Sequence, residues 1–257
     1  MLSYSWQMPR ASKGGGATAS GGSFFFDFTT ASIEDPLSMG GVFSTATNGV
    51  GGNAPVADKA NMRVALASDG TTKIAQHAAA AVDPLGSTPY ADSFAFLPSV
   101  SVSGNIRVTA KLYRDAGYTP ADNHELEIIL GCRSTSANSN KDSRWIECLY
   151  TVQGGGGCDI VSLDGLATAF TPLSGSQGSA PAIVDGSLFK GELDRAAGRV
   201  RWWVDTTGTG ASYTLYFDKT DALISSLGSG AGVAAFRRPG DTASNGAGFR
   251  NVLIEAF

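Results

Sequence analysis

The sequence predicts an all-β protein, one sandwich of two antiparallel sheets, and three observations carry that expectation. Apolar and polar residues alternate in a series of short runs. The 33 glycines and only 16% charged residues suit many short strands joined by turns. Hydrophobic residues make up 42% of the 257, enough for a packed interior, and β cores of this length form as single units. One domain is therefore expected over residues 24–257, behind an extended N-terminal arm of residues 1–23.

The arm opens with a period-two pattern: Leu2, Tyr4, Trp6 and Met8 alternate with Ser3, Ser5 and Gln7, and Pro9 ends the run. Residues 13–23 follow as a Gly/Ser/Ala stretch with the composition of a tether. A strand with large alternate side chains on such a leash suits addition to a partner's sheet edge, which makes Leu2, Tyr4, Trp6 and Met8 the candidate docking residues. Folding back onto its own sandwich is the other reading of the same pattern, and both stay open.

Phe24-Phe25-Phe26-Asp27-Phe28 then opens the domain as a dense apolar strand. Residues 29–99, rich in Gly, Pro, Ala, Asp and Asn, predict long loops with a few strands such as Met62 to Leu66. Beyond them the runs are regular. Ile106, Val108, Ala110 and Leu112 mark one strand, and Leu126, Ile128 and Leu130 the next. Ile146, Cys148, Tyr150 and Val152 follow, then Ile160-Val161 and Val200, Trp202 and Val204. Tyr213 to Phe217, Val233 to Phe236 and Phe249 to Phe257 complete the set. Gly154 to Gly157 read as a hairpin turn. No fixed-period repeat appears, which excludes solenoids and propellers.

Charge and hydropathy exclude further classes. The net charge of −4 without any Lys/Arg cluster argues against a nucleic-acid partner. No apolar run is long enough to insert into a membrane, and the N-terminus lacks the layout of a signal peptide. A virion protein released by lysis needs no such peptide, so a virion location is expected, with an extracellular one as the alternative. Cys132, Cys148 and Cys158 cannot all pair, so the chain is no disulfide scaffold. Cys132 and Cys148 are placed to face each other across a hairpin, either bridged or as buried thiols.

From Trp145 onward the order of features resembles the concanavalin A-like lectin/glucanase domains found in phage and bacterial surface proteins. The residues that carry this are Trp145-Ile-Glu-Cys-Leu-Tyr150, Asp159-Ile-Val-Ser-Leu-Asp-Gly165, Val184-Asp-Gly186, Arg199-Val-Arg-Trp-Trp-Val204 and Gly248-Phe-Arg-Asn-Val-Leu-Ile254. The resemblance implies a jelly-roll whose last strand lies beside the first, near Phe24 to Phe28. It supports a fold far better than a function, because that fold carries lectins, hydrolases, lyases and inert structural domains.

Strand alternation places a second set of side chains outside: Arg107, Thr109 and Lys111, then Glu125, Glu127 and Glu147, then Arg201, Trp203 and Asp205. These are expected to share the outer face of one curved sheet. Glucanases of the resembled fold carry their acids there in a Glu-x-Asp-x-x-Glu type of strand. Here Glu125 and Glu127 supply two acids, but Ile129 follows and the third is missing. Retaining hydrolysis needs two carboxyl groups about 5–5.5 Å apart, and same-face strand neighbours lie about 6–7 Å apart at Cα, so spacing alone does not exclude the pair. Ion pairs with the neighbouring Arg and Lys are the favoured reading, and no catalytic residue is expected.

Trp203 beside Arg201 is the leading candidate for stacking on a sugar, with Trp145, Glu125 and Glu127 as further glycan-facing candidates. Cover by loops or an identical subunit is the competing reading of Trp203. His77 and His124 have no metal-ligand spacing, and no metal site is expected from them. His124 suits a hydrogen-bonded strand edge. The resembled fold implies calcium as the one cofactor to consider, through Asp159, Asp164 and Asp185, although Asp-Gly pairs read equally as turns. There is no Gly-x-Ser-x-Gly elbow and no phosphate-binding glycine loop. The expected function is a phage structural subunit, a capsid decoration, fibre or tail-associated protein. Its partners are other virion proteins docked through the arm, further copies of itself and a host-surface glycan. A secreted carbohydrate-binding module is the alternative, and a glycoside hydrolase or lyase ranks below both.

Overall fold

The alternation in the sequence becomes strands throughout. The structure, a computed structural model, describes residues 23–30, 44–46, 62–77, 91–96, 102–118, 124–132, 144–151, 155–164, 167–172, 178–179, 183–237 and 246–257. In chain order the strands are β1 (Phe24–Asp27), β2 (Ser44–Ala46), β3 (Met62–Leu66), β4 (Lys73–His77), β5 (Ala91–Phe96), β6 (Ile106–Arg114), β7 (His124–Cys132) and β8 (Arg144–Thr151). They continue with β9 (Gly155–Asp164), β10 (Ala167–Pro172), β11 (Gly178–Ser179), β12 (Leu188–Asp194), β13 (Arg199–Asp205), β14 (Thr214–Thr220), β15 (Gly230–Arg237) and β16 (Ala247–Ala256). No helix among the described residues is long and apolar enough to cross a membrane. The arm residues Leu2, Tyr4, Trp6 and Met8 lie outside the described residues.

Two antiparallel sheets result. Sheet I runs β14-β13-β12-β6-β16-β4-β3, with β1 also paired to β16, and sheet II runs β10-β9-β8-β7-β15-β5-β2, with β11 paired to β9. Phe24 stands opposite Ile254, so the last strand lies beside the first. The chain passes repeatedly between the sheets, from β6 to β7 and from β15 to β16, so this is a two-sheet antiparallel jelly-roll sandwich, the fold that the resemblance implied.

The core lies between the sheets. Ile106, Val108, Ala110 and Leu112 of β6, with Phe189, Trp202, Phe249 and Ile254, meet Leu126, Ile128, Leu130, Ile146 and Val233 of sheet II, all buried. The Trp202 ring packs edge-on to Phe189 with centroids 5.9 Å apart. Gly191 is what lets the layers close: a Cβ there would meet Ile128 and Leu130 carbons at 3.1 Å. Gly131 is fixed twice over, with a φ of +75° and a Leu193 carbon 2.7 Å from where a Cβ would stand.

Several sequence expectations need correction. The opening strand stops at Asp27, and Phe28 enters a short 3-10 turn, Phe28–Thr30, that buries it. Asp27 accepts a 3.0 Å hydrogen bond from the Thr29 backbone N–H and so diverts the chain. Gly155, Gly156 and Gly157 are not a turn but the start of β9, opposite Thr151, Tyr150 and Leu149. Cys132 stands opposite Gly230, whereas Cys148 stands between Ile128 and Cys158, so the expected Cys132–Cys148 facing is wrong by register. Cys148 is a buried thiol. β10, β11 and β12 were not anticipated as strands.

Candidate functional site

The outward side chains of sheet I build one connected surface. In β12 the inward positions are Phe189, Gly191 and Leu193, which leaves Lys190 and Glu192 on the outer face. Register sets Glu192 between Arg107 of β6 and Arg201 of β13, and Lys190 between Thr109 and Trp203. The Glu192 carboxylate accepts from Arg107 Nε at 2.8 Å through one oxygen and from Arg201 Nη2 at 2.8 Å through the other. Arg107 also reaches Glu255 of β16 at 3.2 Å. The row therefore reads Arg201, Glu192, Arg107, Glu255 across four strands. Burial opposes the charge on Arg107, but hydrogen bonds and attraction from Glu192 and then Glu255 outweigh it and raise its pKa.

Aromatic rings flank this row. Lys190 Nζ lies 4.3 Å from the Trp203 ring centroid and 4.1 Å from that of Tyr213, and the Arg201 guanidinium carbon lies 5.2 Å from Trp203. The Phe257 ring, 40% exposed, lies 4.6 Å from the Arg107 guanidinium carbon. Contacts at these distances are attractive, each about 0.5–1 kcal/mol where exposed and more where dry. Burial pushes the Tyr213 hydroxyl up to about 12, helped by the charge of Asp205, so it stays a donor at neutral pH. A bulge delivers the neighbouring groups: Trp202 pairs with Phe217 but Trp203 with Leu215, which makes Tyr216 the extra residue. Leu215 is left 46% exposed beside Trp203.

Asp205 is not on this face as expected. It is fully buried, accepting from the Thr207 N–H at 2.8 Å, the Thr207 hydroxyl at 2.6 Å and the Gly210 N–H at 2.7 Å. Burial alone raises an aspartate, but the Thr207, Gly210 and Ser212 hydrogen bonds prevail and hold Asp205 below the usual carboxylate range. The turn it organises brings the chain round to Tyr213.

Of the sequence candidates, the structure brings Arg201 and Trp203 together and separates them from the rest. Glu125 and Glu127 are on β7 and Trp145 and Glu147 on β8, all in sheet II, so the single shared face is incorrect. Arg107 and Lys111 belong to sheet I and cannot form the expected cross-strand pairs with Glu125 and Glu127. Glu127 stands opposite Leu149 and Ala234 and is only 5% exposed. Glu147 stands opposite Asp159 and Ile129, an acidic neighbour and an apolar one.

The proposed calcium trio is also dispersed. Asp159 and Asp164 occupy positions of opposite parity on β9, and Asp185 binds Arg250 Nη2 at 2.6 Å beside sheet I. His77 on β4 and His124 on β7 lie in different sheets. Among the described residues no group of three metal-ligating side chains occurs. Lys190, Glu192, Tyr213 and Phe257 were missed in the sequence, where only the Lys-Gly-Glu spacing of β12 hints at two charges on one face.

No family model matches the chain, and no curated protein matches it. Solved structures do. The CBM2 module of the evolved Dit of Lactobacillus casei BL23 phage J-1 is 10% identical, with 92% of this chain and 97% of that one covered at a TM-score of 0.49. Lectin II from Ulex europaeus is 9% identical over 92% and 99% of the two chains, with a TM-score of 0.46. The carbohydrate-binding module CBM66 from Bacillus subtilis is 12% identical over 84% and 96%, with a TM-score of 0.40. The sandwich itself is fixed by the sheet order and register given above.

Proposed function

We propose that this chain is a non-catalytic, glycan-binding jelly-roll carried on a virion surface, with the outer face of sheet I as the binding surface and the N-terminal arm as the attachment to other virion proteins. The observation that carries the glycan reading is Trp203 and Tyr213 both against Lys190, with Arg201, Glu192 and Thr109 on the same face. Ring faces suit the C–H surfaces of a sugar, and charged heads beside them suit its hydroxyls. The acids of sheet II support no hydrolytic reading: Ile129 stands where a third acid is needed, and Glu127 is buried opposite apolar residues. The virion assignment draws on the arm's strand pattern and tether. A secreted module would use the same face.

The test is retention on a glycan array. Trp203→Ala is expected to lose at least tenfold in binding while still unfolding in one cooperative transition. Because Trp203 is half-buried, some loss of melting temperature is expected, and binding is compared per folded protein. Undiminished binding by the variant would overturn the assignment of this face.

A further inference from the structure

We infer that the ligand of this face is an acidic glycan and that Lys190 is the anchor for its carboxylate or sulfate. The inference rests on the glycan reading above and narrows it to one chemical class.

Around Lys190 stand Arg107 and Arg201 with the carboxylates Glu192 and Glu255, and further out Asp218 stands opposite Arg201 and is held by Arg199. Both Glu192 oxygens are taken by arginines, at 2.8 Å each, and Glu255 is engaged by Arg107. Of Arg107, Lys190 and Arg201, it is Lys190 that has no ion pair. Among the described residues no carboxylate lies within ion-pair distance of it, and its contacts are the two aromatic rings. Burial depresses the Lys190 pKa; Glu192 restores part, and Arg107 and Arg201 depress it further.

A partly buried ammonium held against two rings has the charge of Glu192 nearby but no carboxylate at ion-pair distance, and an incoming anion supplies one. A neutral sugar hydroxyl accepts a hydrogen bond from the ammonium too, but only a carboxylate or sulfate adds the attraction of opposite charges. The surroundings say what bears the anion. Trp203 and Tyr213 give the anion a flat apolar neighbour of ring size, and Thr109, in register with Lys190 on the other side, adds a hydroxyl. Leu215, exposed beyond Trp203, extends the apolar rim. A small inorganic anion uses only Lys190, whereas an acidic sugar uses the whole group. An ammonium is a compact point charge, suited to carboxylate and sulfate alike.

The experiment measures binding of the full chain to two matched polymer pairs: polygalacturonate against its methyl ester, and dextran sulfate against dextran. The expected result is at least tenfold tighter binding to the acidic member of one or both pairs, weakened by added salt as screening requires. Lys190→Gln is expected to lose that preference and Lys190→Arg to keep most of it, with both variants folded. Preference for one pair alone identifies the anion as carboxylate or sulfate. Equal binding to acidic and neutral members, or an undiminished preference in Lys190→Gln, overturns the inference and leaves the glycan reading standing. Binding to none of the four polymers overturns the acidic-glycan inference, and if the glycan array is also blank the broader reading falls with it.

Discussion

Asp205 ends β13 with its carboxylate turned into the loop that follows, and that one group sets where Tyr213 arrives. Removing its charge leaves the Thr207 and Gly210 N–H groups facing an amide. Asp205→Asn is expected to cost about 2 kcal/mol at pH 7, in the range for loss of buried hydrogen bonds to a charged acceptor. The pH dependence has a definite sign. A carboxyl whose folded pKa lies below its unfolded value of 3.8 stabilises the fold above that value and loses the contribution as pH falls through the folded one. Asp218, held down by Arg199, and Asp69, lowered to about 2 by Thr72 and Thr71, act in the same direction. Denaturation midpoints of wild type and Asp205→Asn are thus expected to differ at pH 7 and to converge below pH 3.8. A gap that persists unchanged into acid would refute the account. Sequence alternation found Trp203 and Arg201 on the outer face because both keep the period of β13. Asp205 keeps the same period and is buried, because a short acid at a strand end finds backbone donors in the next turn.

β12 shows why an element can hide. Its inward positions are Phe189, Gly191 and Leu193, and the glycine that lets the sheets approach breaks the apolar alternation by which strands are recognised. With β12 unseen, Lys190 and Glu192 had no face, and Arg107 and Arg201 no link. Glu192 is the centre of that link. Glu192→Ala is expected to cost about 3 kcal/mol, the lower end for removing one member of a buried ion pair, because both arginines are partly exposed. At roughly 2–4 °C per kcal/mol for a domain of this size, the loss is readable by calorimetry. The same change releases Arg201 from Glu192 and leaves Arg107 to Glu255 alone, so affinity for an acidic polymer is expected to rise as stability falls. A variant that loses both stability and acidic binding would show that Glu192 touches the ligand itself rather than neutralising the arginines.

At the scale of the molecule, alternation says which side of its own sheet a residue faces and nothing about which sheet that is. Glu125, Glu127 and Glu147 were grouped with Arg107 and Arg201 for that reason, and only the pairing of β6 with β12 and β16, and of β7 with β8 and β15, separates them. The fold was legible because order and spacing survive in the runs; the site was not, because it is assembled from strands distant in the chain. The arm poses its question on the same scale. β1 begins at Phe24, opposite Ile254, so the sandwich keeps its first strand when everything before it is removed. Deletion of residues 1–23 is therefore expected to leave the melting temperature within a few degrees of the full chain's. Among the described residues sheet I ends at β14, whose exposed Leu215 and Tyr216 offer main-chain groups and apolar side chains to another strand. If the arm is an assembly device, light scattering will give a trimer or larger for the full chain and a monomer for the truncated one. Monomers in both cases would end the self-assembly role and leave the arm either a foreign virion partner or a minor part against its own sandwich. A truncated protein that stays oligomeric would place the subunit contact on the sandwich, where Leu215 and Trp203 are the first residues to replace.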